Sequence, residues 1–101
     1  MDRRLEFHSK LVSIPGVKKV YFQPPASINL EYPCIIYSRA RGDFQYADNG
    51  SYIFRQAYDV TVIDRDPDSG ILEHIRSFPM VVFDRSFRVD NLNHDTFTIY
   101  F

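Results

Sequence analysis

From Ile35 to Ile63 the chain alternates apolar and polar residues with the two-residue period of β-strand, on both sides of Asp48-Asn49-Gly50. A three-residue tip, in which Gly50 supplies a left-handed backbone cheaply, predicts a long hairpin. The register that follows sets Ile36 opposite Val62, Ser38 opposite Val60, Ala40 opposite Tyr58, Phe44 opposite Phe54 and Tyr46 opposite Tyr52. On its other face it sets Arg39 opposite Asp59 and Asp43 opposite Arg55, two pairs of opposite charge. The second strand, Tyr52 to Asp64, spans roughly 43 Å at about 3.3 Å per residue. A folded chain of this length has a radius of gyration of only ~13 Å. The hairpin tip is therefore expected to project beyond its own domain. It would carry Phe44, Tyr46, Tyr52 and Phe54 on one face, with Arg39, Arg41, Asp43 and Arg55 on the other. Aromatics that a domain cannot cover call for a partner, and these eight residues are the expected contact surface of the arm.

The flanking segments supply the rest of a domain. Residues 2–13 predict a short helix, with Leu5, His8 and Leu11/Val12 at helical spacing and Arg3, Arg4, Glu6 and Lys10 on the wet side. Ile14-Pro15-Gly16 ends it. Val20-Tyr21-Phe22 predicts a first short strand, stopped by Gln23-Pro24-Pro25, and residues 24–33 form a connector. Asp64-Arg65-Asp66-Pro67-Asp68-Ser69 reads as a helix start, with Asp66 as cap and Pro67 in the first turn. Ile71, Leu72, Ile75 and Phe78 then form an apolar stripe that ends before Pro79, and Gly70 weakens the helix by about 1 kcal/mol relative to Ala. Two final strands follow. Val81, Phe83, Phe87 and Val89 share parity in the first, and Phe97, Ile99 and Phe101 in the second, with Asp90-Asn91-Leu92-Asn93 as the turn between them. Residues 1–101 thus predict a single α+β domain. Its sheet has about five strands and is largely antiparallel, with a long projecting hairpin and two short helices packed against it.

Composition narrows the function more by exclusion than by assertion. A net charge of −1 over 101 residues provides no global basic field for nucleic acid or an anionic membrane. The lone Cys34 permits no disulfide or Cys-based zinc knuckle within one chain, and its place at the entry to an apolar strand predicts a buried, inert thiol. No run approaches the ~18 apolar residues of a membrane span, and Met1-Asp2-Arg3-Arg4-Leu5 lacks an apolar signal region, so synthesis in a cytosol is expected. Asp64-x-Asp66-x-Asp68 opens like a calcium loop. However, Gly70 comes one place late and Ile75 stands where the bidentate Glu belongs, so capping is the better reading. Arg41-Gly42-Asp43 and Asn49-Gly50-Ser51 match short adhesion and glycosylation signals, and both are absorbed by the hairpin. The histidines do not cluster: His8 and His74 fall on separate helices and His94 in a turn. His94-Asp95 could orient an imidazole, but no nucleophile or phosphate-binding loop accompanies it. No catalytic, metal-binding or cofactor-binding residue is expected, and the chain does not read as an enzyme.

Three segments resemble a known family. They are Tyr32-Pro33-Cys34-Ile35-Ile36-Tyr37, the run Tyr58-Asp59-Val60-Thr61-Val62-Ile63-Asp64-Arg65-Asp66-Pro67-Asp68-Ser69, and the ending with Phe83-Asp84-Arg85, Asp90-Asn91-Leu92-Asn93-His94-Asp95 and Phe97-Thr98-Ile99-Tyr100-Phe101. Together they are similar to the tail-terminator, or tail-completion, proteins of long-tailed bacteriophages. The resemblance implies a structural virion protein at the head–tail junction. It would form a ring, a hexamer in this family, on the last ring of the tail tube and would stop tube polymerisation. Its partners would be further copies of itself, the major tail tube protein and a head-completion or connector protein. DNA would pass through the lumen without sequence-specific binding, and no cofactor or membrane would be involved. The alternatives are a head-side connector or stopper of the phage neck and a small bacterial protein-binding module.

Overall fold

Backbone is described for residues 3–48 and 51–101, and side chains for residues 3–40 and 56–101, in a computed structural model of the chain. Two helices, α1 (Arg4–Val12) and α2 (Ile71–Arg76), accompany five strands: β1 (Lys19–Phe22), β2 (Cys34–Asp48), β3 (Ser51–Asp64), β4 (Val81–Val89) and β5 (Leu92–Tyr100). The strands form one sheet in the order β1-β2-β3-β5-β4. Only β1 and β2 run parallel, and the remaining pairs are antiparallel. The expected α+β architecture is present.

One face of the sheet meets both helices. Phe7 of α1 stacks on Tyr58 at 4.6 Å and meets Tyr37, Phe78 and Phe101 at 5.4, 5.7 and 5.1 Å between ring centroids. Around it lie Leu11, Ile35, Val60, Val62, Ile75, Phe97 and Ile99, all essentially without solvent exposure. The stripe of α1 is therefore not the expected Leu5, His8 and Leu11/Val12. Leu5 and Val12 are 71% and 55% exposed, while Phe7 and Leu11 are buried. Residues four apart share a helix face, and Phe7–Leu11 is the pair that reaches the sheet. Arg4 is also not on the wet side: it is partly buried, and its guanidinium lies 4.3 Å from the Phe22 ring.

The hairpin register differs from expectation in a regular way. Near the base, Ile35 pairs with Val62 and Tyr37 with Val60, so each β3 residue meets a β2 partner one place earlier than expected. Toward the tip, Gln45 pairs with Phe54 and Phe44 with Arg55, one place later than expected. A bulge between Arg39 and Asp43, the segment that holds Gly42, accounts for the change. Asp48 pairs with Ser51, so two residues connect the strands rather than three; those two lie outside the described residues. Arg39 consequently sits opposite Tyr58 and not Asp59. The backbone pairing replaces Phe44–Phe54, Tyr46–Tyr52 and Asp43–Arg55 with Phe44–Arg55, Tyr46–Ile53 and Asp43–Gln56.

The second helix begins later than its capping signals suggest. Asp64 accepts a hydrogen bond from the Asp66 N–H (3.0 Å), and Asp66 accepts one from the Asp68 N–H (2.9 Å), so these carboxylates build a turn and not a cap. Gly70 is the residue before the helix, outside its interior, and the Ser69 hydroxyl accepts the Ile71 N–H at 3.3 Å. The expected stripe holds: Ile71, Leu72 and Ile75 are buried and Phe78 is partly buried.

The last hairpin turns tightly through Asp90 and Asn91, both at positive φ (53° and 64°), so Leu92 and Asn93 belong to β5 and not to the turn. A bulge between Phe83 and Arg85 breaks the expected common parity of β4. Val81 and Phe83 pair with Ile99 and Phe97 on the helix side. Beyond the bulge, Phe87 and Val89 pair with His94 and Leu92 and turn to the open side of the sheet.

Candidate assembly interface

The arm is the first of three candidate contact surfaces. β1 pairs with β2 only from Cys34 to Tyr37, and β5 pairs with β3 only from Ala57 to Asp64, yet β2 and β3 continue together to Asp48 and Ser51. Gln56 marks the departure point, where its carbonyl takes the Phe101 N–H at 3.0 Å. The molecule measures 48 × 27 × 23 Å, so one axis is far longer than the other two. Of the expected contact residues, Arg41, Asp43, Phe44, Tyr46, Tyr52, Phe54 and Arg55 have side chains outside the described residues. Arg39 is described and exposed. It lies on the helix side, its guanidinium 5.4 Å from the Phe22 ring, while its backbone N–H donates to Gln23 Oε1 at 3.3 Å.

Strand β4 is the second surface. It forms an edge of the sheet, and among the described residues no strand pairs with its outer side. Val82, Phe83, Phe87 and Val89 are 54%, 51%, 37% and 48% exposed, which makes this strand the largest concentration of uncovered apolar side chains described. The bulge beside them is held in place by side chains. The Thr96 hydroxyl accepts the Arg85 N–H and donates to the Arg85 carbonyl (3.2 and 3.1 Å), while Thr98 donates to Asp84 at 3.2 Å. Phe87 stacks on His94 at 4.8 Å and lies under Arg85 at 5.0 Å. His94, expected in a turn, is thus a strand residue covered by an aromatic ring. Sequence reasoning missed this surface because the bulge at Asp84 is not visible in the spacing of apolar residues. The polar pair Thr96 and Thr98 opposite it was the available signal.

The third surface is a groove of about 620 Å³ between the C-terminal ends of α1 and α2. Ile14, Phe78 and Phe101 form its apolar floor, and Arg3, Lys10 and His74 its polar rim. Arg3 lies 4.2 Å from the Phe101 ring and shares its charge with Glu6 at 3.1 Å. Lys10 enters no ion pair among those described. The hydroxyls of Ser13 and Ser77 donate to the carbonyls of Lys10 and His74 (2.8 and 2.6 Å), so these helix-end carbonyls are already satisfied.

Two further groups are polar or ionisable but enclosed. Tyr37 is fully buried, yet its hydroxyl meets His8 Nδ1 at 2.6 Å and accepts from Arg4 Nη1 at 3.3 Å. Neutral His8 accepting the phenolic proton suits this arrangement. Burial first, and the Arg4 charge second, hold the His8 pKa below its ordinary value. Cys34 is fully buried, as expected, and burial raises its thiol pKa to about 11. Among the described residues no group of three or more His, Cys, Asp or Glu side chains could hold a metal ion, and no helix is long and apolar enough to cross a membrane. Comparison with protein-family models, with curated proteins and with solved structures finds no match for this chain.

Proposed function

We propose that the chain is a structural virion protein that caps the tail tube of a long-tailed bacteriophage as a ring, ends tube polymerisation and joins the tail to the head connector. The hairpin arm is the observation that carries this reading. Its strands pair as far as Asp48 and Ser51, well past the strands that flank its base. An arm of that length suits a subunit that reaches onto a neighbour. The exposed apolar side chains of β4 add a second surface in need of cover, and a head-to-tail contact between two different surfaces closes into a ring when the rotation closes. The three resembling segments supply the identity of the assembly. In this reading the partners are further copies, the tube protein and a head-completion protein, with DNA in the lumen.

Polymerising a purified major tail tube protein with and without this chain tests the proposal. Tubes that stop growing and carry a ring at one end are expected. Unrestricted tubes with no bound chain would overturn it, and binding to a head-side connector in place of the tube would favour the neck-protein alternative. A second reading rests on the free edge of β4, which could hold an extended peptide as an added strand. Such a module would bind peptides as a monomer and leave tube growth unchanged.

A further inference from the structure

We propose that the free edge of β4 pairs, antiparallel, with the outer edge of β2 on the hairpin arm of a second copy, so that neighbouring subunits share one sheet. The inference rests on the assembly reading above and names the strands that would meet. β4 ends the sheet on one side, whereas the outer edge of β2 faces the side of β1, at the other. Two different edges on opposite sides of one sheet make a head-to-tail contact.

The backbone of both edges is set for pairing. The two-residue turn Asp90-Asn91 makes Val89–Leu92 a hydrogen-bonded pair, and alternation then aims the N–H and C=O of Phe87 at β5 and those of Ser86 and Arg88 outward. On β2, the Tyr37 carbonyl accepts the Gln23 N–H at 2.9 Å and Gln23 Oε1 accepts the Arg39 N–H, which closes the outer edge as far as Arg39. Gln23 leaves that edge at a positive φ of 45°. Beyond the bulge, the closing pair Asp48–Ser51 aims the backbone groups of Asp43, Gln45 and Ala47 at the same edge. One antiparallel register sets Arg88 opposite Asp43, Phe87 opposite Phe44, Ser86 opposite Gln45 and Arg85 opposite Tyr46. Those partners are an opposite-charge pair, an aromatic pair, a polar pair and a cation beside an aromatic residue. The arginines of β4 do not obstruct its edge. Arg85 lies over the Phe87 ring at 5.0 Å and Arg88 donates to Asn91 Oδ1 at 3.4 Å, both along their own hairpin. Charge selects the occupant. The arm's other edge, Tyr52-Ile53-Phe54-Arg55, holds no acid. A second β4 offers only Asp84, which accepts from Thr98 on the open side, whereas Arg88 alternates with Phe87 and lies on the helix side.

Mixing two full-length single-site variants, Ser86→Cys and Gln45→Cys, under oxidising conditions tests this contact, in solution and on tubes in the capping assay. Hydrogen-bonded antiparallel partners stand about 5.5 Å apart at Cα, within reach of a disulfide. Native Cys34 is fully buried and does not compete. A covalent dimer that needs both variants is expected. In sedimentation velocity, Arg88→Asp is expected to weaken self-association roughly tenfold, and Asp43→Arg added to it should restore the wild-type level. Thermal melts of every variant keep a loss of fold apart from a loss of contact. No cross-link between folded variants, either in solution or on tubes, would overturn the contact, and capping that persists without it would leave the ring reading intact. A dimer from Ser86→Cys alone would assign the edge to a second β4, and the proposal would fall. Loss of capping in Arg88→Asp with no cross-link would assign β4 to a strand of another protein, which also overturns it. A cross-link without capping would support the contact and count against the tube reading.

Discussion

Strands β4 and β5 carry nearly the same alternation of large apolar residues and meet opposite fates. In β5, Phe97 and Ile99 are 1% and 0% exposed, and Phe101 just beyond the strand is 7% exposed. In β4, Val82, Phe83, Phe87 and Val89 remain open to solvent. Position in the sheet separates them: among the described residues β5 pairs with a strand on each side and β4 with β5 alone. β5 lies between two strands and under the helices, where Phe7 and Phe78 meet Phe101, whereas β4 lies at the sheet edge. Its bulge then sends Phe87 and Val89 to the side that no helix covers. Alternation fixes which residues share a face; it does not fix what covers that face. The same pattern therefore gives a core in β5 and a solvent-exposed surface in β4.

Truncation puts the largest load on this contrast. Removing residues 97–101 deletes Phe97, Ile99 and Phe101, each worth roughly 1.5–3 kcal/mol of burial. The combined loss of about 5–9 kcal/mol is comparable to the whole stability of a typical domain, about 5–15 kcal/mol. Insoluble or unfolded protein is the expected result. A truncated chain ending at Thr96 that is soluble and melts cooperatively would show that the terminal aromatics serve docking and not the core.

Single substitutions read the contrast more finely. Phe97→Ala should cost about 3–5 kcal/mol in denaturant unfolding, because Phe97 is enclosed and a cavity would remain. Val82→Ser with Val89→Ser should change stability by no more than about 0.5 kcal/mol each, since both side chains are about half exposed. The same double variant should impair tube capping. If it unfolds the chain, β4 belongs to the subunit's own core and the comparison with β5 fails.

The fold was legible wherever one local signal sufficed. Ile71, Leu72, Ile75 and Phe78 on one stripe, and Phe97, Ile99 and Phe101 on one face, needed only periodicity. Two irregularities escape the apolar rhythm. Gly42 marks where the first can fall, nothing in the apolar spacing marks the second at Asp84, and each inserts residues that shift the strand register. The start of α2 was misread because Asp, Pro and Ser serve turns and caps by the same hydrogen-bonding chemistry. Phe7 was passed over in favour of Leu5 because the two fall within one turn of helix, and only the position of the sheet chooses between them. The arm was anticipated from strand length alone. The groove could not be, since it forms where the ends of two helices distant in sequence converge.

A pH titration probes the enclosed polar group on the helix side. His8 has its pKa lowered in the folded chain, so the folded state favours the neutral ring. Above the ordinary value of 6.5 both folded and unfolded chains hold it neutral, and its contribution is fully present. As pH falls below about 6.5 the unfolded chain binds the proton first, and stability declines until the folded pKa is passed. Melting His8→Gln beside the wild type should show the wild type losing more stability over that window. Parallel pH profiles would mean that burial and the Arg4 charge do not hold the ring neutral.

The smallest expected effect concerns two residues that the sequence sets opposite each other and the fold sets apart. Arg39 and Asp59 occupy adjacent rungs of the same strand pair, facing Tyr58 and Ser38 respectively, and successive rungs point to opposite faces. Arg39 lies on the helix side near the Phe22 ring. Asp59 lies on the open side, in a shallow depression it shares with Asp84, Arg85 and Thr96. Replacing Arg39 by Ala should cost about 0.5–1 kcal/mol, the worth of an exposed cation over an aromatic ring. Asp59→Ala should cost less than about 0.5 kcal/mol, as is usual for exposed positions. Side chains that do not touch have nothing to lose together, so the double variant should equal the sum of the singles within about 0.3–0.5 kcal/mol. A coupling near 1 kcal/mol in a double-mutant cycle would mean that the two charges do meet. The base register would then be the unbulged one, with Arg39 and Asp59 on a single face.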